Sequence, residues 1–350
     1  MDAASAPADL LIGGVAVPAG SRQTVNLPVA DLYTRTPIHL PVIVHRGSRP
    51  GPTLFVSAAM HGDEIIGVEI IRRLLKLPAL AELAGTLLAV PVVNVLAFLH
   101  QSRYLPDRRD LNRSFPGSET GSLAARLAHQ FLKEVVGNSD YGIDLHTGAI
   151  HRPNLPQIRA DLSNPENRRL AMAFGAPLFL DSKPTAGTLR AYTTAANKPV
   201  ILYEACEALR FDETAIRIGM QGIVNVMTEL AMLPPPEAAP PPGVTPILAR
   251  SDTWARAPVS GILRAQAALG DAVKKGQLLG LIGDPFGEQE TPVVSPASGV
   301  VIGRVMLPLV YEGEAVFHIA RVETPGEAAQ NVDQLAAHSA AWDHEEPRIV

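Results

Sequence analysis

The strongest constraint on the fold is a short apolar run, residues 53–60, that stops at His61-Gly62-Asp63-Glu64 and gives way to helical spacing. The run follows Pro50-Gly51-Pro52 and is continuous rather than alternating, which suits a buried strand. Beyond the tetrad, Ile66, Ile70 and Leu74 recur at four-residue intervals with Ile71 and Leu75 beside them, predicting a helix with one apolar face. His61 and Glu64 therefore fall on a strand-to-helix turn, where both side chains can point at one spot. An imidazole nitrogen and a carboxylate oxygen are two of the three protein ligands in one common class of catalytic zinc site. Taken alone, His61 could equally cap the strand, and Glu64 could merely favour the helix N-terminus.

The same grammar recurs along the chain. Residues 22–46 alternate loosely and predict antiparallel strands, and residues 86–93 predict a second buried strand. Residues 99–117 are polar, Arg-rich and aperiodic, the signature of a long loop, and such loops are often functional. Ser122 is placed to cap a helix with Leu123, Leu127, Phe131 and Val135 on one face. A third strand covers residues 141–145, Asn164-Pro165 opens a helix that Gly175 ends, and a fourth strand covers residues 200–203. Asp212 then caps a long helix bearing Ile216, Met220, Ile223, Met227 and Leu230. Strands alternating with helices imply an α/β fold with a mixed sheet, whose ligand site lies beyond the strands' carboxyl ends. His61, Asp144-Leu145-His146 and Glu204 all fall there.

His146 completes a metal set. It ends its strand with Asp144 on the same side, two residues back, where that carboxylate can hold the second imidazole nitrogen. Two ligands close in sequence and a third far away leave the open coordination position that catalytic zinc requires. Glu204 directly follows a buried strand, where a carboxylate without a role is costly, and is the candidate general base; Glu207 is its competitor. Cys206 has no histidine near it in sequence and reads as a small, partly buried thiol. Within the Arg-rich loop, Arg108 and Arg109 read as solvated side chains paired with Asp107 and Asp110. Asn112-Arg113 reads instead as a substrate anchor, since a guanidinium grips a carboxylate bidentately.

At 350 residues two domains are expected. The prolines at 234–236 and 240–242 mark a stiff linker. The expected division is a catalytic domain over 1–233, a linker over 234–243, a second domain over 244–322 and a tail over 323–350. After the linker, Ala257-Pro258-Val259-Ser260-Gly261 recurs as Ser295-Pro296-Ala297-Ser298-Gly299, and the turns ending at Gly276 and Gly313 correspond. Two strand–turn–strand copies predict a small all-β domain of interlocked halves, similar to the biotinyl/lipoyl-like barrel-sandwich. No lysine occurs between Gly276 and Ala320, which disfavours a biotin or lipoate carrier. The net charge of −5 argues against a nucleic-acid backbone binder, and no apolar run is long enough to span a bilayer. One cysteine and an N-terminus without a signal-peptide pattern predict a cytoplasmic protein. A homo-oligomer is left open.

These motifs resemble the succinylglutamate desuccinylase/aspartoacylase family of the zinc carboxypeptidase-like fold. The resemblance rests on His61-Gly62-Asp63-Glu64, Arg103-Tyr104, Asp110-Leu111-Asn112-Arg113, Asp144-Leu145-His146 and Glu204. It implies a deacylase that cleaves an N-acyl amino acid into a carboxylate and a free amino acid. By that resemblance one zinc ion is held by His61, Glu64 and His146, Glu204 is the base, and Arg103 polarises the scissile carbonyl. Asn112 and Arg113 would hold the substrate carboxylate. Arg190 matches a further substrate-binding arginine, and Tyr311-Glu312 resembles a pair whose tyrosine touches substrate. The family's usual glycine is Cys206 here. A zinc carboxypeptidase-type peptidase, which shares all these parts, is the nearest alternative.

Overall fold

The computed structural model describes residues 9–235, 246–326 and 329–330. A small hairpin of β1 (Leu10–Ile12) and β2 (Val15–Val17) precedes the antiparallel pair β3 (Ser21–Asp31) and β4 (Pro37–Arg46), which forms one edge of a mixed sheet. In chain order there follow β5 (Arg49–Ala58), β6 (Ala84–Val90), β7 (Tyr141–Gly148), β8 (Asn154–Ala160), β9 (Leu178–Asp181) and β10 (Val200–Glu207). Across the sheet they run β4-β6-β5-β7-β10-β8, with β9 beyond β8. The four central strands β6, β5, β7 and β10 are parallel, whereas β8 runs against β10.

Helices α1 (Ile66–Leu74), α2 (Val95–Leu99), α3 (Leu123–Phe131), α4 (Pro165–Phe174), α5 (Leu189–Ala195) and α6 (Glu213–Glu229) flank this sheet. The two-residue period of each strand decides what the faces do. Leu54, Val56 and Ala58 of β5, Ile143 and Leu145 of β7, and Ile201, Tyr203 and Ala205 of β10 pack with α1, α4 and α6 in one core. The buried Tyr203 hydroxyl donates to Ala215 O at 2.7 Å, tying β10 to α6. On the opposite face Phe55 meets Phe131 of α3 edge-on at 5.9 Å. Nearer the carboxyl ends that face carries Ser57, Asp144, His146, Leu202 and Glu204, with Ser57 opposite Asp144, Asp144 opposite Leu202, and His146 opposite Glu204. Ser122, Asn164 and Asp212 each accept a backbone N–H as N-caps, and Gly175 closes α4 with φ +78°.

A short β11 (Ile247–Ala249) joins β9, and the remaining strands are β12 (Ser251–Arg256), β13 (Gly261–Ala265), β14 (Ala272–Val273), β15 (Leu278–Gly283), β16 (Glu290–Val294), β17 (Gly299–Arg304), β18 (Leu309–Val310) and β19 (Ala315–Arg321). Their pairing explains the sequence repeat. β13 pairs with β15 and β18, while β17 pairs with β19 and β14; β16 adds to β15 as β12 adds to β19. Each half therefore lends a two-residue strand to the other. β16-β15-β13-β18 is a separate antiparallel sheet, whereas β12-β19-β17 continues the large sheet through Gly303 of β17, opposite Asn154 of β8. The expected linker, apart from residues 234–235, lies outside the described residues, and so does most of the expected tail. Among the described residues no helix is long and apolar enough to cross a membrane.

Candidate active site

The turn carrying His61 and Glu64 is held from several sides. Gly62 N donates to Ser102 O at 2.9 Å, and Glu64 N donates to His61 O at 3.1 Å. The fully buried Asn94 caps α2 and donates to Met60 O at 3.2 Å. Only glycine fits at position 62, because a Cβ there would lie 2.0 Å from Ala97 C and 2.2 Å from Phe98 N. The tetrad is thus pressed directly against α2.

His61, Glu64 and His146 meet in a buried cluster whose ligand atoms all lie within 4.8 Å of one another. His61 Nδ1 is 2.6 Å from Glu64 Oε1, and His146 Nδ1 is 2.7 Å from Glu64 Oε2. Both outer nitrogens are occupied. His61 Nε2 donates to Asp110 Oδ1 at 3.1 Å, and His146 Nε2 donates to Asp144 Oδ2 at 2.9 Å. Asp144 is itself held by Ser57 Oγ at 2.7 Å. Each imidazole therefore turns Nδ1 toward the shared centre, as a carboxylate-oriented metal ligand should.

Electrostatics point the same way. Burial disfavours charge on His61, yet Glu64 and Asp110 outweigh it and raise its pKa. Burial likewise opposes charge on His146, but Asp144 and Glu64 raise its pKa well above the usual histidine value. Glu64 is buried, which alone would favour the neutral acid, but His61 and His146 hold its carboxyl far below the usual carboxylate range. A buried carboxylate costs several kcal/mol unless cations surround it. Two nitrogen donors and one carboxylate, oriented by outer acceptors, fit a zinc ion, which would take the place of the two Nδ1 protons.

Beside the cluster lies a cavity of about 450 Å³. His61, Glu64, His146, Arg103, Asn112, Arg113, Arg190 and Glu204 all line it, whereas Glu207 does not and instead meets Arg210 at 3.4 Å. Arg103 spans Glu64 Oε1 at 3.4 Å and Asp110 Oδ2 at 3.0 Å. Asn112 spends its side-chain oxygen on Leu189 N at 2.9 Å, at the start of α5. Arg113 donates to Asn112 O at 2.6 Å and meets no carboxylate within ion-pair distance among the described residues. Arg190 donates to Ser182 O and, at 3.2 Å, to Ser182 Oγ; burial and then Arg159 push its pKa down to about 10. Glu204 Oε1 accepts from Asn154 Nδ2, and Oε2 accepts from Arg159 at 3.4 Å. Gln157, fully buried and directly across from Glu204, has neither amide atom paired among the described residues.

Two sequence expectations need correction. Among the described residues Asp110 pairs with neither Arg108 nor Arg109 but with Arg103, at 3.0 Å, and is the acceptor that orients His61; Arg109 meets Asp107, at 3.9 Å. Tyr311 is 79% exposed on the turn between β18 and β19 and does not line the cavity. The C-terminal strands contribute other residues: Asp252 and Trp254 of β12 and His318 of β19. Trp254 and His318 stack at 4.2 Å, and His318 Nε2 lies 3.1 Å from Asp252 Oδ2. The His318 ring, against the cost of burial, holds the Asp252 carboxyl below its usual range. Arg152, Arg159 and Lys183 also line the cavity unforeseen. Cys206, half-buried at φ +64°, stands where a glycine would be at ease, and burial raises its thiol pKa.

A buried two-histidine, one-carboxylate centre at the carboxyl ends of parallel strands, open on one side to a polar cavity, defines a metal-dependent hydrolase of the carboxypeptidase-like type. Residues 50–230 match the succinylglutamate desuccinylase/aspartoacylase catalytic domain, and the chain belongs to that family. An N-alpha-acetyl-L-2,4-diaminobutyric acid deacetylase of Halomonas elongata is 28% identical over 313 residues, covering 85% of this chain and 90% of that protein. The crystal structure of a succinylglutamate desuccinylase/aspartoacylase from Rhodobacter sphaeroides is similar at a TM-score of 0.77 and 25% identity, over 87% of this chain and 96% of that one. The product-bound ectoine utilization protein EutE (DoeB) of Ruegeria pomeroyi shares the fold at a TM-score of 0.76 and 23% identity, over 85% of this chain and 94% of that one.

Proposed function

We propose that this protein is a zinc-dependent deacylase that hydrolyses the amide bond of an N-acyl amino acid, with one zinc ion per chain held by His61, Glu64 and His146. The observation that carries this reading is the buried ligand cluster, with Glu204 beside His146 in the sheet, opening on a cavity rich in cations that Glu204 also lines. Bound zinc supplies Lewis-acid polarisation and lowers the pKa of water to about 7.

The chain's own residues supply the rest. Glu204, free of the ligand cluster and lining the cavity, takes the proton of the attacking water and returns it to the leaving amine nitrogen. Arg103, fixed between Glu64 and Asp110, donates to the carbonyl oxygen as negative charge develops there. Arg113 and the side-chain NH₂ of Asn112, which has no partner among the described residues, bind the substrate carboxylate, and Arg190 adds a second cationic contact. Six cationic side chains line the cavity, Arg103, Arg113, Arg152, Arg159, Lys183 and Arg190, against three carboxylates, Glu64, Glu204 and Asp252. That excess supports an anionic substrate. A volume of about 450 Å³, walled on one side by Trp254 and His318, suits an acyl amino acid better than a polypeptide.

The same proposal covers the domain plan. Residues 1–233 form the catalytic domain and 244–322 a barrel-sandwich of the biotinyl/lipoyl type that has become a wall of the active site; the strand exchange between its halves supports this reading. The single cysteine supports a cytoplasmic location. The test is a panel of acetyl, succinyl and formyl amino acids offered to zinc-loaded protein and scored by free amine released. Release should depend on zinc and fall by about 10²-fold or more in Glu204→Gln, with zinc retained. An active Glu204→Gln beside an inactive Glu207→Gln would overturn the assignment of the base.

A further inference from the structure

Both hydrogen-bond donors to Glu204 are themselves gripped by the C-terminal strands. Asn154, which donates to Oε1, lies opposite Gly303, the point where β17 joins β8. A Cβ on Gly303 would come within 2.7 Å of Asn154 Oδ1, so the glycine lets the two strands close on that amide. Arg159, which donates to Oε2, turns its other terminal nitrogen to Asp252 Oδ2 of β12 at 3.7 Å. Asp252 is backed by His318 of β19 at 3.1 Å, and His318 is stacked on Trp254. Nearby, Met306 N donates to His151 O at 2.8 Å and Arg152 meets Glu314 at 3.0 Å, so the segment leading into β8 is clamped as well.

We infer that Asp252 is a positioning residue for the general base, acting through Arg159, and that the C-terminal strands aim Glu204 as well as wall the cavity. The inference rests on the reading of Glu204 as base. A guanidinium shared between two carboxylates is held at a compromise position. With Asp252 neutral, Arg159 is free to swing fully onto Glu204, drawing its carboxylate away from the line of proton transfer. Misplacement by about 1 Å can cost on the order of 10²-fold in rate. Asp252 retains its neighbours in this account and touches no reacting atom, so the loss belongs to kcat.

The experiment is a double-mutant cycle of Asp252→Asn and Arg159→Gln, with Glu204→Gln run alongside, on zinc-loaded protein and one N-acyl amino acid that the wild type turns over. Asp252→Asn should lower kcat about tenfold, leave KM within about twofold, and leave zinc content and Tm unchanged. In the Arg159→Gln background the same change should have no further effect, because residues acting in one chain of contacts are not additive. A raised KM with intact kcat would make Asp252 a substrate contact and overturn the inference. So would multiplicative losses, an unchanged kcat, or a loss explained by lost zinc or a lower Tm. An active Glu204→Gln would instead sink the reading of the base, whereas an inactive one with normal Asp252→Asn would sink only the positioning role.

Discussion

Replacing Asp144 by asparagine isolates the contribution of an outer carboxylate to the metal centre. Asp144 is almost fully buried, accepts from His146 Nε2 at 2.9 Å and accepts from Ser57 at 2.7 Å. Asparagine keeps the shape but removes the charge, and its one acceptor oxygen must choose between the two donors. A hydrogen bond to a charged group contributes about 1.5–3 kcal/mol. Losing most of that corresponds to a drop in zinc affinity of about 10- to 100-fold, the usual range for such outer partners. Competition titration against a chelator of known affinity reads the number directly, and the Tm of the metal-free variant checks that the fold is intact. Wild-type zinc affinity in Asp144→Asn would refute the idea that Asp144 fixes the ring.

Other outcomes follow from the same geometry. In the metal-free protein, the raised pKa values of His61 and His146 mean that charged imidazoles stabilise the fold fully below the unfolded histidine value of about 6.5, a contribution lost as pH rises through the folded values. Calorimetry of the apoprotein should therefore show Tm falling across that window, and a Tm that climbs there would contradict the pairing. Gly62→Ala places a methyl 2.0 Å from the Ala97 backbone and should lower Tm and abolish zinc binding, as metal analysis would show. Arg113→Lys should raise KM about tenfold with little change in kcat, since a point charge replaces a fork. Equal turnover of an amidated substrate by wild type would remove the basis for that expectation.

The buried cluster of His61, Glu64 and His146 was legible because its members fall where buried runs end, so the strand period and the abrupt change to polar residues located it. Caps at Ser122, Asn164 and Asp212 were legible for a similar reason, being local chemistry. β8 was not, because one of its faces lines or underlies the cavity. Gln157 and Arg159 break the apolar pattern, and Pro156 directly precedes them. Asp110 was misread because its partner, His61, lies 49 residues away, and charge pattern alone suggests the nearest arginine. The contributions of Asp252, Trp254 and His318 were hidden for a related reason. The repeat announces two interlocked halves but not which edge meets β8, and that contact alone decides which side chains face the cavity.

The most direct test of the central claim is a titration of metal-free protein with zinc, scored by amine released from an N-acyl amino acid. Activity should rise in proportion to added zinc and level off at one equivalent per chain. Amine release that persists in the metal-free protein, or that stays absent at one equivalent with every family substrate class offered, would contradict it.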